Sequence, residues 1–331
     1  MRYPELKGRC HHFLVTGGAG FRGSNLALTL IENGQRVTVL DSFVTGKRKN
    51  IEDIERFVKE NAIPAGNFHL IEGDIRDAEL CMNSTGGVDF VLHNAALGSV
   101  PRSIEDPSTT TDVNVTGTVN VLYGALGRNI RRFVYASSSS VYGDSPEEPK
   151  REGEEGWPLS PYAVSKIACE LYAGNFHDIF GLPTVGLRYF NVFGPRQDAL
   201  SPYAAVIPIF IKKLLSDEPP TVNGDGTVTR DFTYVENVIQ ANIRACFAPK
   251  EAAGKAYNIA CSKEVSLNEL YARLSTLLGK NIKPVYGPER KGDVKKSYAD
   301  VSKAREFLKY EPSFDFEKGL ELSIDWYRRN L

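Results

Sequence analysis

The stretch TGGAGFRG, residues 16–23, decides the fold of the first part of the chain. It lies between the apolar run HHFLVTG (11–17) and SNLALTLIEN (24–33), a helical pattern that ends before a glycine. Its three glycines have the spacing G-x-x-G-x-x-G. Glycine allows a tight turn, lets backbone N–H groups approach a pyrophosphate and lets a helix pack close to a sheet. The stretch therefore predicts a strand, a phosphate-binding turn and a helix whose N-terminus favours negative charge.

Further apolar runs extend this pattern through the first half of the chain. They are continuous rather than alternating, as is typical of strands that are covered on both faces. Because helical stretches separate them, the sequence predicts an α/β fold with a Rossmann-type, doubly wound parallel sheet. The later strand candidates are RVTVLD (36–41), NFHLIEGD (67–74), VDFVLHNAA (88–96), RRFVYASS (131–138) and TVGLRYFN (184–191).

The pattern changes after about residue 191, where a helix is followed by short strands and further helices. We predict a dinucleotide-binding domain over residues 1–190, to which 231–262 return. Residues 191–331 then form a smaller C-terminal α/β domain for the substrate. Residues 144–160 are rich in Pro, Gly and acids and are expected to form a surface loop.

Composition excludes several classes of function. The 331 residues carry a net charge of −1, which gives no reason to expect binding to nucleic acid or to an anionic membrane surface. No apolar run is long enough to span a membrane, and the N-terminus lacks a signal-peptide pattern. Five cysteines are scattered without a C-x-x-C pair, and the five histidines form no cluster with them. We expect a cytoplasmic protein with reduced thiols and no structural metal.

Acidic residues that end the second and third predicted strands indicate which dinucleotide binds. Asp41 follows the glycine loop by about twenty residues, where a carboxylate can accept bonds from ribose hydroxyls and repels a 2′-phosphate. This favours NAD over NADP, although Asp41 could instead cap a loop. Arg22 could meet a 2′-phosphate or face solvent. Asp74 and Ile75 could bracket an adenine, or could be a turn acid and a core isoleucine.

The segment YAVSK (162–166) places Tyr162 and Lys166 on one face of a helix, four residues apart. Pro161 suits the start of that helix. A nearby ammonium favours the phenolate, so the tyrosine can act as acid or base. The serine run in YASSSSVYG (135–143) ends a predicted strand on the side where open α/β sheets bind ligands. Together these signals predict a catalytic site, and the serines either bind a substrate or cap the strand.

These motifs resemble the extended short-chain dehydrogenase/reductase family, specifically nucleotide-sugar 4-epimerases that act on UDP-N-acetylglucosamine and its galacto epimer. The resemblance extends from about residue 11 to the end of the chain. It is also carried by ALGSVPRS (96–103), SPYAVSK (160–166), GLRYFNVFG (186–194), YAAVIP (203–208), NGDGTVTRDF (223–232) and GDVKKSYAD (292–300).

The resemblance implies that Ser138, Tyr162 and Lys166 are catalytic and that NAD is retained while a 4-keto sugar forms and is reduced on its other face. Ser139 and Ser140 lie where related 4,6-dehydratases carry an acid pair. UDP-glucuronate decarboxylases also keep the glutamate of that pair. The two serines therefore argue against dehydration and decarboxylation and for a lining of the sugar pocket.

The resemblance also implies two sets of binding residues. The cofactor set is Gly17, Gly20, Phe21, Arg22, Asp41, Ser42, Phe43, Gly46, Asp74, Ile75, Ala95, Ala96, Asn114, Tyr162, Lys166 and Tyr189. The substrate set is Ser99, Ser138, Ser139, Ser140, Asn191, Val206, Arg230, Arg290, Asp293 and Ser297, in which the two arginines would clamp the pyrophosphate.

Two positions bear on the sugar. Hexose-only epimerases carry a bulky Tyr where this chain has Ser297, and a small residue leaves room for an N-acetyl group. Those enzymes also carry a Lys near the nicotinamide where this chain has Gly98. Both differences favour N-acetylated substrates without excluding plain hexoses.

Two alternatives to this function stay open. A UDP-uronate or UDP-N-acetylhexosaminuronate 4-epimerase would need a cation for the sugar carboxylate, and Arg102 is a candidate. A non-catalytic NAD-binding regulator usually lacks the Tyr or the Lys, and this chain keeps both. The family commonly forms homodimers through two helices per subunit, which here would be about 107–127 and 161–180.

Overall fold

The computed structural model describes residues 3–289 and 296–331. The strands are β1 (His12–Thr16), β2 (Arg36–Asp41), β3 (Phe68–Glu72), β4 (Phe90–His93), β5 (Arg132–Ser138), β6 (Thr184–Tyr189), β7 (Val192–Phe193), β8 (Thr221–Asn223), β9 (Thr229–Arg230), β10 (Thr233–Tyr234), β11 (Lys255–Ile259), β12 (Val265–Ser266) and β13 (Val285–Gly287). The helices are α1 (Phe21–Glu32), α2 (Arg48–Glu60), α3 (Ala78–Ser84), α4 (Val100–Glu105), α5 (Pro107–Thr111), α6 (Gly117–Ala125), α7 (Pro161–Phe180), α8 (Val206–Leu215), α9 (Val235–Phe247), α10 (Leu267–Leu278), α11 (Ser302–Leu308) and α12 (Phe316–Asn330).

Seven strands form one parallel sheet in the order β11-β6-β5-β4-β1-β2-β3. The predicted doubly wound parallel sheet is thereby confirmed. The chain runs outward from β1 in one direction through β2 and β3, then returns to β4 on the other side of β1. Ligands bind at such a reversal, beyond the carboxyl ends of the strands. The turn after β1 and the end of β5 both lie at this edge of the sheet.

The six predicted strands are all present; β2 has the predicted bounds, and the other five are shorter by one or more residues. The seventh strand, β11, pairs with β6 in the register Lys255↔Val185. It lies in the 231–262 segment, which also contains α9. This segment packs against the large sheet, since buried residues of α9 and β11 belong to the same apolar cluster as β1 and β2.

A second apolar cluster lies under the C-terminal elements. Its largest members include Phe193, Phe210, Phe232, Phe316 and Tyr327, which come from β7, α8, α12 and the loop before β10. Three two-stranded pairs, β10 with β7, β12 with β9 and β13 with β8, accompany it. Across the described ranges, no helix has both the length and the apolar character needed to cross a bilayer.

Local signals explain where the functional helix α7 begins and ends. The Ser160 hydroxyl accepts a hydrogen bond from the Ala163 backbone N–H at 3.1 Å, which satisfies a free donor of the first turn. Pro161 occupies the first helical position, where no N–H is needed. Gly181 ends the helix with φ +70°, a conformation that glycine adopts without strain.

Candidate functional site

The glycine turn after β1 is packed too tightly for a side chain at Gly17 or Gly23. Gly17 has φ +69°, and a Cβ atom there would lie 2.7 Å from the backbone nitrogen of Ala95. A Cβ atom at Gly23 would clash with the carbonyl group of Gly17. Helix α1 begins directly after Gly20 and has no acidic residue in its first turn. Its N-terminus is therefore free to attract an anion.

Asp41 is held at the end of β2 by the glycine turn. One carboxylate oxygen accepts a bond from the Ala19 backbone N–H and the other from that of Phe43, each at 2.8 Å. Burial raises the pKa of Asp41, and these two hydrogen bonds oppose the rise. Gly46 packs beside this carboxylate, so the loop after β2 wraps around the acid. A fixed carboxylate in this position suits ribose hydroxyls.

A cavity of about 310 Å³ opens beside the glycine turn, and we call it the first cavity. The predicted cofactor residues that line it are Gly17, Gly20, Phe21, Arg22, Asp41, Ser42, Asp74, Ile75, Ala95 and Ala96, and Gly98 also lines it. Asn94 lines it too, and its buried Oδ1 atom has no hydrogen-bond partner within the described part of the chain. An unpaired buried polar atom indicates a missing polar partner.

Asp74 lines the first cavity and forms an ion pair with Arg76. Its carboxylate lies 2.8 Å from the Arg76 guanidinium, whose hydrogen bonds lower the pKa of Asp74. Phe43 and Gly46, in the loop after β2, do not line the cavity themselves.

The serine run and the Tyr-Lys helix meet at the end of β5. Ser138 is the last residue of β5, and its hydroxyl accepts a bond from the Ser140 backbone N–H at 3.2 Å. The buried Lys166 ammonium donates a bond of 2.8 Å to the carbonyl of Ala136. Tyr162 is half-buried in the first turn of α7. The two motifs predicted to be catalytic are thus joined by a direct hydrogen bond.

A second cavity, of about 430 Å³, lies next to this junction. Ser139, Ser140, Asn191, Arg230 and Ser297, all predicted to bind the substrate, line it. Its other lining residues are Val100, Ile104, Tyr142, Gly143, Lys150, Leu159, Ser160 and Ala163. The buried Ser140 hydroxyl has no hydrogen-bond partner among the residues described. This cavity therefore has polar groups that can accept a polar ligand.

The acidic loop 144–160 forms one wall of the second cavity. Lys150 of this loop forms a bridge with Ala299, and its backbone N–H donates to the carbonyl of Tyr298 at 2.9 Å. The bridge holds the segment that contains Ser297 against the loop. The Lys150 ammonium is directed at its own loop, bonding the carbonyls of Ser145 and Glu147 at 2.6 and 2.9 Å.

The structure does not bring every predicted residue to a cavity. The Asn114 side chain bonds both backbone groups of Leu97 and the Ser165 hydroxyl, so its polar atoms are engaged within the protein. Tyr189 is buried, and its hydroxyl accepts a bond from Asn242 at 2.8 Å. Neither residue lines the first cavity, and their assignment as cofactor contacts stays a prediction.

Two predicted substrate contacts lie away from the second cavity, and two others lie outside the described residues. The Ser99 hydroxyl caps α4 by accepting a bond from the Arg102 backbone N–H at 3.3 Å. Val206 begins α8 and packs against the C-terminal apolar cluster. Neither residue lines the second cavity. Arg290 and Asp293 lie outside the described residues.

Strained backbone is found at several of these positions. Phe43, Ser99 and Asn191 have φ values of +58°, +114° and +32°, which residues with a side chain rarely adopt. Such strain persists where the surrounding structure imposes it, and it is common at ligand sites.

A buried polar network lies behind the serine run, and the sequence did not reveal it. Glu170 of α7 forms a two-pronged ion pair with Arg188 of β6, at 2.9 and 2.7 Å. Arg188 also bonds the Tyr142 hydroxyl at 3.0 Å, which donates in turn to Asn258 of β11 at 2.7 Å. The Ser137 hydroxyl donates to Glu170. The network ties β5, β6, β11 and α7 together directly behind Ser138.

The residues of the first cavity fit an NAD cofactor. Gly17 and Gly23 leave no room for a side chain, the helix N-terminus attracts a phosphate, and Asp41 presents a carboxylate where a 2′-phosphate would be repelled. The unpaired Oδ1 atom of Asn94 is a further acceptor. In the ranges 3–289 and 296–331, no group of three His, Cys, Asp or Glu side chains could hold a metal ion.

Comparison with known proteins agrees with this fit. Residues 13–260 match the NAD dependent epimerase/dehydratase family. The UDP-N-acetylglucosamine 4-epimerase of Methanobrevibacter ruminantium, solved in complex with UDP-N-acetylmuramic acid, is similar with a TM-score of 0.90 and 37% identity, over 98% of this chain and 100% of that one. The UDP-glucose 4-epimerase of Mycolicibacterium smegmatis is 34% identical over 317 residues, which are 95% of this chain and 98% of that protein.

A third relative differs in its sugar. A mutant UDP-glucuronic acid 4-epimerase of Bacillus cereus, solved with UDP-4-deoxy-4-fluoro-glucuronic acid and NAD, is similar with a TM-score of 0.87 and 31% identity, over 97% of this chain and 100% of that one. The resemblance inferred from the motifs is thereby confirmed at the level of the family. The chain belongs to the NAD dependent epimerase/dehydratase family, among the epimerases of the extended short-chain dehydrogenase/reductases, and its cofactor is NAD.

Proposed function

We propose that this protein interconverts UDP-N-acetylglucosamine and UDP-N-acetylgalactosamine by epimerisation at carbon 4, with NAD retained through each turnover. The observation that carries the proposal is the position of Ser297, which lines the second cavity together with Ser139 and Ser140. A small side chain there leaves volume for an N-acetyl group. We expect UDP-glucose and UDP-galactose to be weaker substrates, because a roomy pocket still admits a smaller group.

The chain's own residues supply the proton transfers. Tyr162 takes the proton of the sugar 4-hydroxyl as the ketone forms and returns it when the ketone is reduced. The Ser138 hydroxyl bonds the same oxygen and orients it. Lys166, four residues after Tyr162 on α7, is fixed by its hydrogen bond to the Ala136 carbonyl. When bound, NAD supplies the reversible exchange of a hydride with carbon 4.

The second cavity must also let the 4-keto sugar rotate between the two half-reactions, so that it presents its other face to the cofactor. Val100, Ile104 and Leu159 give it apolar walls that form few directional bonds with a sugar. The nucleotide must meanwhile stay fixed. We propose that Arg230 holds the substrate pyrophosphate, since guanidinium bonds phosphate in two-pronged fashion. Arg290 and Asp293 keep their proposed roles as pyrophosphate and uridine contacts.

A UDP-uronate 4-epimerase is the second candidate, because a relative of that name is similar over nearly the whole chain. Such an enzyme needs a cation for the sugar carboxylate. The candidate Arg102 does not line the second cavity, and its guanidinium stacks on the Tyr203 ring, 4.8 Å from the ring centroid. Lys150 lines the second cavity but is engaged by its own loop and lies 3.1 Å from the Glu148 carboxylate. These contacts favour a neutral sugar.

We further propose that residues 1–190 with 231–262 bind NAD, that 191–331 hold the UDP-sugar, and that two copies associate through 107–127 and 161–180. The dimer proposal is supported by large apolar side chains exposed on α7 and α6. Leu171, Ile179 and Tyr123 are exposed to 70%, 64% and 62%. Exposed apolar surface of this kind is typical of a protein interface.

The test is an incubation of the purified protein with UDP-GlcNAc, UDP-Glc or UDP-GlcNAc-uronate, without added NAD, with each 4-epimer measured by NMR. We expect conversion mainly of UDP-GlcNAc. Faster conversion of UDP-Glc would show that Ser297 does not set the preference, and turnover of the uronate alone would establish the second candidate. No turnover of any substrate, even after NAD is supplied, would indicate a non-catalytic NAD-binding protein.

A further inference from the structure

Arg196 is a charged residue of the first cavity that neither the sequence motifs nor the catalytic scheme assigned. It follows β7, in a turn contributed by the C-terminal half of the chain, and it lines the cavity together with Arg22. Both arginines therefore border the same space as the glycine turn and the N-terminus of α1.

Within the described residues, no carboxylate forms an ion pair with Arg196. Its guanidinium donates one hydrogen bond, of 3.2 Å, to the neutral Oδ1 atom of Asn25. It forms no ion pair with a carboxylate in the part of the chain described here, although Asp53 and Glu32 act on it at longer range. Burial lowers the pKa of Arg196. A desolvated guanidinium without an anion is unfavourable, because burial disfavours an unpaired charge.

The turn that carries Arg196 is strained and is held in place from both sides. Arg196 has φ +70°, which a residue with a side chain rarely adopts. The Asn25 amide bonds the carbonyl of Pro195 at 3.0 Å, which fixes the turn to α1. Asp198 forms an ion pair of 2.9 Å with Lys47, which fixes the turn to the loop after β2. The protein thus imposes a conformation that keeps Arg196, which has no ion-pair partner within the described residues, at the wall of the first cavity.

We propose that Arg196 binds the diphosphate of the cofactor, as a second binding element in addition to the glycine turn. The inference rests on the proposal that the first cavity holds NAD, and it is independent of the sugar. A guanidinium can bond two phosphate oxygens at once, and such charge-assisted bonds are stronger than neutral ones. Because this contact comes from the C-terminal half, it joins the two halves around the cofactor and slows its release.

The test compares Arg196→Gln, Arg196→Lys and the parent enzyme in binding NAD, ADP and adenosine by calorimetry, after bound nucleotide has been removed. The glutamine side chain is about as long as the aliphatic part of arginine. It also carries the same backbone strain at positive φ. Arg128→Gln, at an exposed arginine outside the first cavity, is the matched control. The unfolding temperature without nucleotide separates a binding role from a structural one.

We expect Arg196→Gln to weaken the binding of NAD and ADP by about 10- to 100-fold. The binding of adenosine and the unfolding temperature should not change. Arg196→Lys should lose less affinity, because lysine keeps the positive charge but cannot bond two phosphate oxygens in the two-pronged geometry of a guanidinium. Parent-like affinity for NAD and ADP in both variants would overturn the inference, as would a loss that affects adenosine equally or follows a lowered unfolding temperature. If Arg196→Gln does not fold, parent-like affinity in Arg196→Lys alone overturns it. Failure of the parent to bind NAD or ADP would instead contradict the assignment of the first cavity.

Discussion

The ammonium of Lys166 donates a hydrogen bond of 2.8 Å to the backbone carbonyl of Ala136, two residues before Ser138. This bond connects the helix that carries Tyr162 to the strand that carries the serine. The relative position of the two catalytic motifs is therefore set by the fold rather than by the substrate. In the mechanism proposed here, such preorganisation positions Tyr162 as the proton acceptor before the sugar arrives.

Replacement of Tyr162 by Phe should abolish turnover while the cofactor stays bound. The variant keeps the ring but loses the hydroxyl that exchanges the proton, so we expect kcat to fall by at least about 100-fold. NAD content, measured after denaturation of the protein, should match the parent. Tyr172→Phe, at an exposed site on the same helix, is the control. Substantial activity in the Tyr162 variant would refute its role as the proton acceptor.

Replacement of Ser297 by Tyr should change the substrate preference. The larger side chain fills the second cavity, so we expect kcat/KM for UDP-GlcNAc to fall by about 100-fold relative to that for UDP-Glc. Ser302→Tyr, at an exposed site at the start of α11, controls for a general effect of the added ring. Equal losses for both substrates would show that Ser297 does not determine which sugar is accepted.

Replacement of Glu170 by Gln should destabilise the fold. The change removes the carboxylate that faces the buried Arg188 and leaves Glu155 as its remaining acidic neighbour. We expect a loss of about 3 kcal/mol in the free energy of unfolding, measured in urea. Glu311→Gln removes an exposed ion pair with Arg305 and should cost less than about 1 kcal/mol. Similar small losses in both variants would mean that the buried network contributes little.

Asp231 should make the stability depend on pH. Burial raises the pKa of this side chain to about 6, although backbone N–H groups such as that of Cys261, at 2.9 Å, bond it. Since aspartate in the unfolded chain titrates near pH 3.9, the folded chain binds more protons between about pH 4 and 6. The contribution of Asp231 therefore falls as the pH rises through this window, by up to about 3 kcal/mol.

The Asp231→Asn variant isolates this contribution, because all other titrating groups are retained. We expect its urea-derived free energy of unfolding to decline less than that of the parent between pH 4 and 6. Asp325→Asn, at an exposed site, should follow the parent. Parallel curves for the parent and Asp231→Asn would show that the pKa of Asp231 is not raised.

The sequence predicted the parts of the fold and site that depend on local pattern. Six strands were visible as continuous apolar runs, and the glycine spacing gave the turn after β1. Strand β11 was not identified as such, because KAYNI (255–259) is short and begins with a lysine. Its place beside β6 depends on a contact across about seventy residues, which no local pattern contains.

The same limit applies to the charged residues of the site. Arg188 lies inside an apolar strand, and its partner Glu170 is identified only once α7 is packed on the sheet. Arg196 and Lys47 likewise reach the first cavity through tertiary contacts, so their local sequence gives no signal of it. The family resemblance assigns Asn114 and Tyr189 to the cofactor, but it does not show that their polar atoms also bond within the protein.

The most direct test of the central claim is the fate of the hydrogen on carbon 4. The enzyme is incubated with UDP-GlcNAc carrying deuterium at carbon 4, in ordinary water and without added NAD, and the product is analysed by NMR. We predict UDP-GalNAc with the deuterium still at carbon 4, because the hydride leaves and returns within one enzyme molecule. Product that has exchanged this deuterium for solvent hydrogen would contradict a retained-cofactor mechanism.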